Sequence, residues 1–220
     1  MKSFKVKDKL VEIFSNDNYK KPVVIVNTFE NEGESIWNEC KKLNCKDFVL
    51  VAISNVNWND EMTPWVCEPI FKGTGKNKGL ADKYLKFLEE EIIPKIKSEI
   101  NIEYFAIAGY SLGGLFALYS VFKTDLFKSI VTASGSMWYP NFEEFVKNNE
   151  LNKNVQKIYF SLGNKEKNSK NEILKTVEDK TVEIQKFLSE KLETTFVENE
   201  GNHFQDASLR TALGIKWILE

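Results

Sequence analysis

Five residues near the middle of the chain, Gly109-Tyr110-Ser111-Leu112-Gly113, follow the pattern G-x-S-x-G. That spacing suits a serine held on a tight, strained turn between a strand and a helix, with its hydroxyl projecting from the sheet edge. Side chains at 109 and 113 would collide with the neighbouring strand and helix, so glycine is needed there. A helix starting near Leu112 would aim its free N–H groups and the positive end of its dipole at a reacting centre. The chemistry predicted for Ser111 is nucleophilic attack.

A hydroxyl is a weak nucleophile and needs a base. The chain has one histidine, His203, in the polar stretch Glu200-Gly201-Asn202-His203-Phe204. It falls after the last predicted strand and before the closing helix, where a serine–acid–histidine order puts the base. The acid is expected after the preceding strand, in the loop containing Gly163, Asn164, Lys165 and Glu166. Glu166 is the choice, to accept the second imidazole N–H and stabilise imidazolium. Its plainer reading is a solvated charge in a Lys/Asn/Glu-rich stretch. Glu172 and Asp206 are the fallback acids, and a Ser–His dyad is also open. An oxyanion hole needs two N–H donors. Leu112 supplies the first, and Thr28 or Phe29, after Val26, the second.

These residues need a frame to hold them. Short apolar runs at 23–26, 48–53, 104–108, 129–133, 155–162 and 194–198 have strand length. Helical patterns fall at 34–44, 80–98, 112–123, 141–147, 170–192 and 205–219, with Pro94 predicting a kink or late break in the second. Strands apolar on both faces and joined by helices predict a mainly parallel α/β sheet covered on both sides. Ligands of such sheets bind at the carboxyl ends of the strands, where the serine, the histidine and Glu166 all fall.

At 220 residues the chain suits one domain, 1–220. The net charge of -2 comes from 30 basic and 32 acidic residues, so nucleic acid is a poor partner. Cys40, Cys45 and Cys67 form neither a disulfide framework nor a metal-type set, and reduced thiols are expected. Neither a leader of signal-peptide length nor a membrane-spanning run is read, so a cytoplasmic location is expected, with no membrane partner.

At this point the residues resemble a known family. Ala108 to Tyr119, Ser134 to Tyr139, Tyr84 to Pro94, Ser161 to Glu166 and Asn202-His203 are similar to the esterase branch of the α/β-hydrolases. That branch includes the ferric-enterobactin-type esterases, esterase D and the antigen 85 mycolyltransferases. The resemblance implies the α/β-hydrolase fold and ester hydrolysis through an acyl-serine intermediate, with no metal or other cofactor and a small-molecule ester as substrate. Siderophore trilactones, acetylated sugars, feruloyl esters and short-chain esters all fit. An acyltransferase using the same triad, and a binding protein that keeps the fold without chemistry, are the alternatives. Two departures stand out: Gly135 and Tyr139 replace the family's proline and second tryptophan, and Asn27-Thr28-Phe29-Glu30 replaces an Asp-Gly turn.

Residues 54–79 form a long irregular connection containing Trp58, Trp65 and Phe71. Its aromatics are either a pocket rim or pins to the core. Trp58 and Trp65 are taken with Tyr110 and Trp138 as expected substrate-binding residues. Gly73-Thr74-Gly75-Lys76 lacks the full phosphate-loop spacing and is read as a turn.

Overall fold

The structure is a computed structural model and describes residues 1–16, 19–70 and 75–220. Phe71 and the Gly73-Thr74 half of the predicted turn lie outside the described residues. The six expected strands form as β3 (Lys21–Asn27), β4 (Val49–Ser54), β7 (Ile102–Tyr110), β8 (Phe127–Ala133), β9 (Lys157–Gly163) and β10 (Glu193–Asn199). Two more, β1 (Lys2–Val6) and β2 (Lys9–Phe14), precede them as an antiparallel hairpin. The sheet runs β1-β2-β4-β3-β7-β8-β9-β10. It is parallel from β4 onward and antiparallel only where β2 meets β1 and β4.

The alternation of side chains along a strand divides the core in two. Val23 and Ile25 join Phe105, Ile107, Phe116 and Phe160 on one face. Val24 and Val26 join Ala106, Ala108, Val131 and Tyr159 on the other. The second face is covered by α1 (Gly33–Lys42) and α8 (Ala207–Leu219), through Ile36, Trp37, Ala212 and Ile215. The first carries α3 (Ala81–Phe87), α4 (Ile93–Glu99), α5 (Leu112–Ser120), α6 (Phe142–Asn148) and α7 (Val177–Ser189). A mainly parallel sheet with helices on both faces is the α/β-hydrolase architecture expected.

Three local departures have physical causes. The helix expected over 80–98 changes to a π turn at Leu88–Ile92 between α3 and α4. Pro94 lacks an N–H, and its ring would press on the carbonyl four residues earlier; the wider turn just ahead of it relieves both problems. The connection read as irregular contains the one-turn helix α2 (Trp58–Glu61) and a two-stranded ladder of β5 (Val66–Cys67) and β6 (Asn77–Lys78). The helix expected from 170 becomes regular only at Val177. Before it, Asn171 Oδ1 accepts the Ile173 N–H at 2.9 Å and holds a turn. Cys40, Cys45 and Cys67 carry free thiols, as expected. No helix among the described residues is long and apolar enough to cross a membrane.

Candidate active site

Ser111 stands between the end of β7 and the start of α5, with φ 56° and ψ −123°. A non-glycine residue at positive φ is strained, and such strain persists only where the surroundings enforce it. Here the close approach of β7 and α5 enforces it. A Cβ at Gly109 would lie 2.1 Å from the Gly113 carbonyl oxygen, and one at Gly113 would lie 2.9 Å from the Trp58 ring. Both glycines are therefore steric requirements, as the spacing predicts.

The imidazole of His203 meets the serine. Its Nε2 is 3.0 Å from Ser111 Oγ, and its Nδ1 is 2.7 Å from Glu166 Oε2. Among the three expected acids the structure thus brings Glu166 to the histidine. Glu172 pairs instead with Lys175 on the surface, and Asp206 is an exposed residue ahead of α8. Nor is Glu166 a solvated charge, since its side chain is 4% exposed. Its second oxygen, Oε1, accepts from Ser134 Oγ at 2.7 Å and from the Gly163 N–H at 2.7 Å. Burial pushes the carboxyl up, but hydrogen bonds from His203, Gly163 and Ser134 outweigh it and hold the group below the usual carboxylate value.

The other expected residues divide. Thr28 commits its N–H to the Ile53 carbonyl at 2.8 Å and points its hydroxyl at the same oxygen at 3.2 Å. Phe29, beside it, is 61% exposed, with its ring edge-on to Trp58. Trp58 also lies against the start of α5. Trp138 is half-buried and packs on Tyr139. Trp65 and Tyr110 are engaged within the protein. Trp65 is a core pin: its indole N–H donates to Pro140 O at 3.0 Å, and its ring packs among Tyr119, Tyr139, Phe142 and Phe145. Tyr110 spends its hydroxyl on the histidine's own loop, donating to the His203 carbonyl at 2.8 Å.

Several polar groups at the site went unread in the sequence. Ser134 caps Glu166, and Ser136 Oγ lies 3.5 Å from Ser111 Oγ. The buried Arg210 reaches Glu166 Oε1 at 3.2 Å. Only Arg210 carried a signal: it is the sole arginine among 30 basic residues.

Similarity to known proteins bears on the family and the fold. The model of the family described as "Putative esterase" matches residues 23–212. The uncharacterized protein YbbA of Bacillus subtilis (strain 168) is 27% identical over 187 residues, covering 81% of this chain and 75% of that protein. Among solved structures, an IroE-like serine hydrolase from Shewanella oneidensis superposes with a TM-score of 0.75 at 19% identity, covering 96% of this chain and 75% of that one. A siderophore hydrolase, EstB, from Aspergillus nidulans gives 0.72 at 17% identity, covering 100% and 95%. At such identities the structural likeness speaks for the fold.

Proposed function

The chain belongs to this esterase family, and from that premise we propose that it cleaves a carboxylic ester through an acyl-serine intermediate, with Ser111 as nucleophile, His203 as base and Glu166 as the acid behind it. The hydrogen-bonded line from Ser111 Oγ through both imidazole nitrogens to Glu166 supports the reading most directly. Ser111 Oγ attacks the ester carbonyl while His203 Nε2 takes its proton. The same nitrogen returns that proton to the departing alkoxide, and the alcohol leaves. His203 then takes a proton from water, whose oxygen attacks the acyl carbonyl; the bond to Ser111 Oγ breaks, the imidazolium returns the proton to Oγ, and the carboxylic acid leaves. Glu166 stays ionised throughout and stabilises the imidazolium.

The carbonyl oxygen becomes an anion at each attack and needs N–H donors in place beforehand. We assign these to Leu112, at the first turn of α5, and to Phe29. The Thr28 N–H is already bonded to Ile53, so Phe29 is the better second donor. Exposed Phe29 and Phe204, with Trp58 behind Phe29, offer apolar surface beside the serine. Siderophore-type and acyl-sugar-type esters are the first substrates to try.

The direct test is Ser111→Ala with a p-nitrophenyl ester and a fluorophosphonate probe. Turnover should fall about a millionfold, and the wild-type adduct should map to Ser111. Retained turnover in the variant would end the reading.

A further inference from the structure

Resting on the triad assignment above, we infer that Arg210 is a positioning residue of the reaction: its guanidinium locks Glu166 and the backbone of the histidine loop into one unit, so that the imidazole stays aimed at Ser111.

Arg210 lies in the first turns of α8 and is 1% exposed. A buried charge is costly unless it is paired and its donors are used. Arg210 finds its partners within the site. Nη1 reaches Glu166 Oε1 at 3.2 Å, Ser134 Oγ at 3.2 Å and Tyr110 Oη at 3.3 Å. Nη2 donates to the Glu200 carbonyl at 2.6 Å. One planar group thus ties together the ends of β7, β8, β9 and β10. The Tyr110 hydroxyl extends the hold by donating to the His203 carbonyl. The histidine loop is therefore gripped at residue 200 by the guanidinium and at residue 203 by the phenol.

The surroundings make room for this fork. A Cβ at Gly163 would lie 2.4 Å from the Gly201 carbonyl oxygen and 2.9 Å from Arg210 Nη1. Every other basic side chain except His203 is a lysine. An ammonium group could supply the charge but not the planar, multi-pronged donor set. With Nη1, Ser134 and Gly163 all on Oε1, the carboxylate cannot rotate, and Oε2 remains for His203 alone.

The test compares Arg210→Lys, Arg210→Met and Tyr110→Phe with p-nitrophenyl acetate as the probe. Both arginine variants should lose about a hundredfold in kcat, the penalty of a misplaced group, with KM within about twofold. Combined with Glu166→Gln, either arginine substitution should cost clearly less than it does alone, because only its hold on the histidine loop is then left to lose. Tyr110→Phe leaves the ion pair intact and should cost about tenfold in kcat, which keeps a readout if Arg210→Met does not fold. Folded arginine variants with kcat within about threefold of wild type, or losses that multiply in the Glu166→Gln background, would overturn the inference. Retained turnover in Ser111→Ala would instead strike the triad assignment itself.

Discussion

Two glutamates in this molecule each sit between basic groups, and they do different work. Glu143, on α6, pairs with Lys147 of its own helix and Lys180 of α7, and those two lysines draw its carboxyl down to about 2. Lys147 also reaches Glu183 at 3.0 Å, so the cluster is a network on the outer surface of two helices. Glu166 is likewise held below the usual carboxylate value, against the upward push of burial. Its partners are an imidazole, a hydroxyl and a backbone N–H at or after the ends of strands, and a guanidinium from α8. A lowered carboxyl pKa alone therefore does not mark a working group. What separates the two is that the partners of Glu166 are rigid and one of them touches the strained Ser111, whereas those of Glu143 are lysines that water can replace.

The largest expected difference is in turnover. Glu166→Gln keeps the shape but offers the imidazole the wrong partner, and kcat should fall about ten-thousandfold. Glu143→Gln should leave kcat within about twofold in the same ester assay, and equal losses would erase the distinction. Next comes Ser134→Ala, which removes one donor from Glu166 Oε1. A charge-assisted hydrogen bond of this kind is worth about 1.5 kcal/mol, so kcat should drop about tenfold.

Acid titration of stability gives a smaller effect. Both carboxyls are lowered on folding. Each therefore contributes stability that is fully present above its unfolded value and is lost as pH falls through its folded value. For Glu143 that window runs from 4.5 down to about 2. In urea unfolding the gap between wild type and Glu143→Gln should be about 1 kcal/mol or less at neutral pH, and it should close across that window. A gap that widens on acidification would reverse the sign of the pairing. Smallest of all, Lys180→Ala should cost about 0.5 kcal/mol with unchanged turnover, and added salt should shrink that cost.

Much of this was readable before any coordinates. Runs such as Val23 to Val26 and Val49 to Ile53 are apolar on both faces, which only a covered parallel strand requires, and they form β3 and β4. Ser111, His203 and Glu166 were found because the fold dictates which loops carry them. The N-terminal hairpin was not legible. Its first strand, Lys2 to Val6, is largely exposed, and its turn places Lys7 at φ 53° without the glycine that usually announces such a bend. Arg210 stood out as the sole arginine, but its place was hidden, because its partner Glu166 is 44 positions away and only the folded chain brings them together. The role of Trp65 could not be separated from that of Trp58, since a loop aromatic looks the same whether it faces inward or outward.

The single imidazole has a practical consequence. A proton NMR spectrum of this protein contains ring resonances from one histidine, so every titrating imidazole line reports on the neighbourhood of Ser111 without assignment. Diethyl pyrocarbonate would likewise have one histidine to acylate, and an inhibitor covering the site should shield it. Few proteins carry their own unlabelled spectroscopic reporter at the place where the reaction is proposed to occur.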